Sequence, residues 1–515
     1  MNGRGPVVAT ESGAVRGLRP ADTAVFRNIP YAAPPTGAAR FAAPRPHARW
    51  DGVRDATAPG PNAPQGTRSL GRIDMSPYFG GGWHRGDDYL TVDVHTPATA
   101  DGGLPVMVFV HGGGFVSGST RAPLYDGSAF ARDGVVLVTL NYRLGAAGFL
   151  DVRGAPANRG LLDVVAALRW VRANIGAFGG DPDRVTLFGQ SAGATLVAAA
   201  LAAPDAAGLF RRAIVQSGSG LGAFSPEQAA RVTAAVAGAL GIASGREPRF
   251  EDFAELPDAR LVEAAGQVAG IDLRTLTHTD PLAGLSPFAP VLGTQPAEAV
   301  AVGRGNGVDL LIGTNSEEGN LYLVPSGAYA ASTEADVLTT AARSHPDPAA
   351  LVAAYRTARP GASHGALRAA VLGDALFGAG TWALASAHAG RRGRRRVTEP
   401  RPAEAGDTRA GATFRYEFTW RSPALGGALG ATHGTELPFV FDVTHLPELR
   451  GENALLGPGE PPRELAARMH AAWVRFAASG NPGWAAYDDD RRTTMRIGAE
   501  WGLADDPYGA ERRAW

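Results

Sequence analysis

Ser191 stands at the centre of Gly189-Gln190-Ser191-Ala192-Gly193, between an apolar run ending at Phe188 and a helix-like stretch from Ala194 to Ala203. A sharp strand-to-helix turn holds its middle residue in a strained backbone conformation, and glycines two positions either side let neighbouring chain pass without a clash. A serine raised on such a turn is a nucleophile for acyl transfer. The pattern by itself arises by chance in a chain with 68 glycines, so its setting and its partners decide its meaning.

Upstream, the apolar run Pro105 to Val110 ends in His111-Gly112-Gly113-Gly114-Phe115. An acyl-transfer transition state develops negative charge on the carbonyl oxygen. Glycines at this place let the N–H groups of Gly113 and Gly114 converge with that of Ala192 on that oxygen, forming an oxyanion hole.

A serine hydroxyl needs a base to take its proton and an acid to orient the base. On an elbow of this kind both partners follow the serine, on loops after later strands. Of the downstream histidines, His345, His364, His388 and His470 fall in helical stretches. His433 instead lies in Gly430-Ala431-Thr432-His433-Gly434-Thr435-Glu436, a small-residue loop after a predicted strand Phe414 to Trp420. For the acid, the strand Val308 to Ile312 runs into Gly313-Thr314-Asn315-Ser316-Glu317-Glu318-Gly319. Both Glu317 and Glu318 fit the role, and the pattern does not choose between them.

These residues need a scaffold of parallel strands. Apolar runs at Pro105–Val110, Val135–Leu140, Val185–Phe188, Ala213–Gln216 and Val308–Ile312 are continuous, as strands buried on both faces are, and a helical period over Leu161 to Ile175 separates two of them. The fold class is α/β, a mostly parallel central sheet with helices on both faces in the α/β-hydrolase arrangement. Alanine-rich helical insertions are expected over the active site at about 221–305 and 330–390, and a last helix at Arg463 to Ala478. Residues 1–515 read as one domain. Arg391-Arg392-Gly393-Arg394-Arg395-Arg396 and the polar residues after it predict a disordered surface loop at about 390–411.

Composition removes other chemistries. All 49 basic residues are arginine and none is lysine, which excludes Schiff bases and Ser-Lys dyads. No cysteine is present, so there is no thiol nucleophile, disulfide or cysteine-ligated metal. No metal or cofactor is expected. A formal net charge of -1 provides no field for nucleic acid or an anionic membrane surface. The apolar run around Ala192 to Ala203 is shorter than the ~20 residues of a membrane span, and no signal peptide is seen near Met1, which points to the cytoplasm. An arginine-only, alanine-rich composition accords with a high-GC bacterial gene. No feature assigns an oligomeric state.

Taken with further segments, the chain resembles the type B carboxylesterase/lipase family, which includes bacterial para-nitrobenzyl esterases, animal carboxylesterases and cholinesterases. The likeness rests on Val25-Phe26-Arg27-Asn28-Ile29-Pro30-Tyr31-Ala32-Ala33-Pro34-Pro35, Tyr89-Leu90-Thr91-Val92-Asp93-Val94, Asn141-Tyr142-Arg143-Leu144 and Phe210-Arg211-Arg212-Ala213-Ile214-Val215-Gln216-Ser217-Gly218-Ser219. The resemblance implies Glu318 as the acid, His433 as the base, and Ser217 as a hydrogen-bond partner of the acid. It also implies ion pairs of Arg40 with Asp87 and of Arg143 with Asp163. The chain departs from the family at Gln190, where a glutamate is usual; this argues against choline esters. It departs again at Tyr89, which stands in place of a disulfide cysteine near the loop of Trp83.

The expectation is a serine carboxylesterase acting on a small-molecule ester through an acyl-enzyme on Ser191. Rivals are a silent relative that binds a protein partner and an amidase or carbamate hydrolase using the same residues.

Overall fold

The computed structural model describes residues 5–97, 102–242, 245–394 and 410–515. Near the amino terminus, β1 (Val7–Ala9), β2 (Ala14–Arg16) and β4 (Val53–Asp55) form a small sheet. The remaining strands are β3 (Thr23–Pro30), β5 (Thr91–Pro97), β6 (Leu104–Val110), β7 (Val136–Leu140), β8 (Gly180–Gln190), β9 (Arg212–Gln216), β10 (Asp309–Asn315), β11 (Thr413–Phe418), β12 (Thr493–Ile497) and β13 (Trp501–Asp505). They make a ten-stranded sheet in the order β13-β12-β11-β10-β9-β8-β6-β7-β5-β3. From β7 to β12 every neighbouring pair is parallel, and the antiparallel pairs lie towards the two edges.

The central strands are apolar throughout because both faces are covered. In β6, Val106, Val108 and Val110 pack into one hydrophobic cluster while Met107 and Phe109 pack into another across the sheet. Period-two alternation thus sends successive side chains to opposite cores. The helices Arg159–Asn174 and Ala192–Ala202 contribute to the first cluster and Arg463–Ser479 to the second.

Further helices occupy Pro226–Ala239 and Asp258–Gln267, then Glu334–Ser344, Pro348–Ala358, His364–Gly373 and Ala379–Arg394, the last two joined by a π-helical turn at Asp374–Gly378. By length and composition the stretch His364–Gly390 is apolar enough to cross a membrane, a candidate that the search for apolar runs in the sequence overlooked. Its apolar window is 67 % buried inside the protein, as in a core helix. The helix Ala379–Arg394 also carries the chain through 391–394, where a loop was expected, since alanine and arginine both favour helix. The rest of that expected loop, 395–409, lies outside the described residues.

One expected ion pair forms and one does not. Arg143 and Asp163 meet at 2.6 Å with both side chains shielded from solvent, and Arg143 donates further to the carbonyls of Arg40 and Ala42. Arg40 pairs with Asp258 at 3.0 Å, not with Asp87, which is exposed. Asp258 begins the helix Asp258–Gln267, and the same guanidinium donates to the Leu256 carbonyl just before it, so the partner comes from the helical segment between β9 and β10.

Candidate active site

Because β6, β8, β9, β10 and β11 run parallel, the segments leaving their carboxyl ends gather at one edge of the sheet, the usual place for a site in an α/β fold. His111 to Gly114 follow β6, Ser191 follows β8, Ser217 follows β9, Glu317 and Glu318 follow β10, and the His433 loop follows β11.

Ser191 has φ 58° and ψ -126°, outside the ordinary range of a residue with a side chain, and it begins the helix Ala192–Ala202. Its neighbours permit the turn only as glycines. A Cβ on Gly193 would lie 2.0 Å from the Val110 carbonyl oxygen, and one on Gly189 would lie 2.7 Å from the Gly193 carbonyl carbon.

His433 is 6 % exposed, and its Nδ1 lies 2.7 Å from Glu318 Oε2. Glu318 Oε1 accepts from the Ser217 hydroxyl at 2.5 Å and from the Asn315 backbone N–H at 2.7 Å. Three donors therefore fix this carboxylate. Glu317 turns elsewhere, accepting from the Ala431 N–H at 2.9 Å and pairing with Arg421. The residue that meets the imidazole is thus Glu318.

With Nδ1–H directed at Glu318, His433 Nε2 carries a lone pair, and the Gln190 amide nitrogen lies 3.1 Å from it. The Ser191 hydroxyl makes no hydrogen bond among the described residues, although Ser191, Gln190 and His433 all line one cavity of about 70 Å³. Gln190 therefore touches the imidazole itself, a contact that sequence reasoning missed. Two others were missed. Phe377, on the π-helical turn, stacks on the imidazole with ring centres 4.3 Å apart and planes 8° apart. Glu436, fully buried three residues after His433, accepts from the Asn315 side chain at 2.7 Å, while the Asn315 backbone holds Glu318. Burial, then the nearby charge of Glu318, pushes its carboxyl from 4.5 up to about 7. The motif His433-Gly434-Thr435-Glu436 was the available signal for Glu436; Phe377 left none.

On the opposite wall, Gly113 at φ 114° and Gly114 at φ 63° turn the loop after β6. The Gly113 carbonyl accepts from the Ser117 backbone, the Ser117 hydroxyl and Arg68, which fixes the direction of the peptide. The N–H groups of Gly113, Gly114 and Ala192 donate to no acceptor among the described residues. His111 behind them stacks on Tyr142, whose hydroxyl donates to the His111 carbonyl at 2.9 Å. Burial pushes this imidazole down to about 4, so it is neutral near pH 7. Among the described residues no group of three or more His, Asp or Glu could hold a metal ion. The cavity wall is otherwise largely apolar, with Leu70, Met75, Phe79, Leu282, Leu321 and Leu376, and Trp83 is not part of it.

A model of the carboxylesterase family matches residues 4–515. The chain belongs to the carboxylesterase family. It is 34 % identical over 519 residues to the para-nitrobenzyl esterase of Bacillus subtilis, covering 98 % of each chain. It is 35 % identical to the phenmedipham hydrolase of Pseudarthrobacter oxydans, over 96 % of this chain and 95 % of that one. Among solved structures, the Geobacillus stearothermophilus carboxylesterase superposes with a TM-score of 0.82 at 34 % identity, over 99 % of both chains. The fold is accordingly the α/β-hydrolase fold, and this carboxylesterase is a carboxylic ester hydrolase.

Proposed function

We propose that this carboxylesterase hydrolyses small-molecule esters in two acyl-transfer steps, with Ser191 as nucleophile, His433 as general base and Glu318 as the orienting acid. The observation that carries this reading is the Glu318–His433 contact at 2.7 Å, opening on the same cavity as a serine at φ 58°. As the ester enters, His433 Nε2 exchanges the Gln190 amide for the Ser191 hydroxyl and takes its proton as Oγ attacks the carbonyl carbon. Negative charge grows on the carbonyl oxygen against the N–H groups of Gly113, Gly114 and Ala192. The imidazolium, steadied by Glu318, gives its proton to the departing alcohol. Water then repeats the sequence on the acyl-enzyme and releases the acid. Gln190 contributes hydrogen bonds but no charge. In this reading residues 1–515 act as one hydrolase domain whose helical insertions wall the cavity.

Ser191→Ala and His433→Ala are each expected to lower hydrolysis of a short 4-nitrophenyl ester by about 10⁴-fold or more. A fluorophosphonate probe should label the wild type and spare Ser191→Ala, which also separates an enzyme from a silent partner-binding relative. Unchanged turnover in either variant refutes the assignment. Faster cleavage of an amide than of its matched ester would favour the amidase reading.

A further inference from the structure

The residues lining the catalytic cavity include one guanidinium, Arg68, and no carboxylate. Arg68 is half-buried, and its Nη1 donates to the Gly113 carbonyl at 2.9 Å. It makes no other hydrogen bond and no ion pair among the described residues. Burial lowers its guanidinium below the ordinary value; Tyr322 is the neighbour that opposes the fall, and no carboxylate does so. Two fully buried arginines elsewhere are more richly partnered: Arg143 has Asp163 and two carbonyls, and Arg159 has four carbonyls. The rest of the Arg68 guanidinium has no protein partner among the described residues and lines the cavity, where an anion could take the place of water.

The position of this cation matters more than its isolation. A Cβ on Gly114 would come within 2.4 Å of Arg68 Nη1, so the guanidinium lies against the loop whose N–H groups face the reacting carbonyl. Arg68 and Leu285 also line a neighbouring cavity of about 330 Å³, giving a substrate arm somewhere to extend past the guanidinium. The acid on that second wall, Asp258, is engaged by Arg40 at 3.0 Å. With Nη1 held by Gly113, the remaining N–H groups of Arg68 are free to grip two oxygens of a planar anion.

We propose that Arg68 anchors a carboxylate, and that the preferred substrates are esters bearing a carboxylate on their acyl or alcohol portion, a few bonds from the scissile carbonyl. This rests on the esterase reading above and narrows its substrate class. Gln190 fits the same preference, since a glutamate beside His433 would repel such an anion.

Two matched pairs test it by pH-stat. Monomethyl adipate against methyl hexanoate puts the carboxylate on the acyl side, and 4-acetoxybenzoate against phenyl acetate puts it on the alcohol side. Arg68→Leu should lower kcat/KM for the carboxylate-bearing member of at least one pair by about 10- to 100-fold relative to its neutral partner. The affected pair identifies the side, and Arg68→Lys should restore part of the loss. An equal fall for both members of each pair would mean that Arg68 merely supports the oxyanion loop, and would overturn the proposal; so would no fall at all. Calorimetric binding of adipate to Ser191→Ala, with and without Arg68→Leu, gives a readout independent of turnover. Binding lost with Arg68 supports the anchor even if none of the four esters is cleaved, a result that would sink only the esterase reading. Binding that ignores Arg68 sinks the anchor alone.

Discussion

Replacing Glu436 with Gln isolates a buried carboxyl next to Glu318, the acid of the proposed mechanism. The side chain is fully shielded and its carboxyl is raised from 4.5 to about 7. Between those pH values the folded protein keeps a proton that the unfolded chain has released. A raised carboxyl therefore contributes most at low pH, and its contribution is lost as pH rises from the unfolded value through the folded one. At 1.36 kcal/mol per pKa unit the loss totals about 3 kcal/mol, most of it between pH 5 and pH 8. Glutamine has nearly the same shape and does not titrate, so Glu436→Gln should gain on the wild type by about that amount over this window. A chain of 515 residues, at about 2.1 cal/mol/K of unfolding entropy per residue, converts this into a relative Tm change of about 3 °C. The assay is a series of thermal scans at one scan rate from pH 5 to pH 8, wild type beside variant. Two Tm curves that stay parallel within 1 °C would refute the idea that Glu436 holds its proton near neutrality.

The two loop glycines should behave differently. Gly113→Ala sets a Cβ 2.0 Å from the Ser117 carbonyl at φ 114°, so the backbone must move; turnover of a neutral ester should fall about 10²–10³-fold. Gly114→Ala at φ 63° meets only the tip of Arg68, and should cost a neutral ester about tenfold or less while harming a carboxylate-bearing ester more. Steady-state kinetics on both ester types checks the order, and equal losses would contradict it. Asp163→Asn leaves Arg143 buried without its counter-ion, which typically costs 3–5 kcal/mol, or about 3–5 °C in Tm for this length. A thermal scan at pH 7 that finds no change would show that the carbonyls of Arg40 and Ala42 alone satisfy the guanidinium.

What could be read in the sequence was what is settled locally. The turn at Ser191 and the loop at Gly113 and Gly114 demand positive φ and close backbone approach within a few residues, so glycine spacing records them directly. The five central strands were visible because burial on both faces leaves an unbroken apolar run. The antiparallel strands β3 and β5, and β12 and β13, mix polar and apolar residues and were passed over. The amino-terminal half of β8 escaped for the same reason, since Asp181, Asp183 and Arg184 interrupt it.

Contacts made across the fold obeyed no such record. The residues Glu317 and Glu318 are adjacent and chemically alike, yet one faces Arg421 and the other His433, because consecutive side chains leave this turn in different directions. Gln190 reaches His433 across 243 positions in the chain, and Arg40 finds Asp258 on a distant helix, not the nearby Asp87. Phe377 reaches the imidazole from a π-helical turn, a local departure from the helical period that any periodic reading assumes. The same division applies to function. The groups proposed to react sit on the sheet's carboxyl edge, where the parallel topology puts them. The side chains that line the rest of the cavity, Arg68 among them, come from connecting segments. Reaction type was therefore legible before substrate class, and substrate class has to be sought in the side chains that the loops bring to the cavity wall.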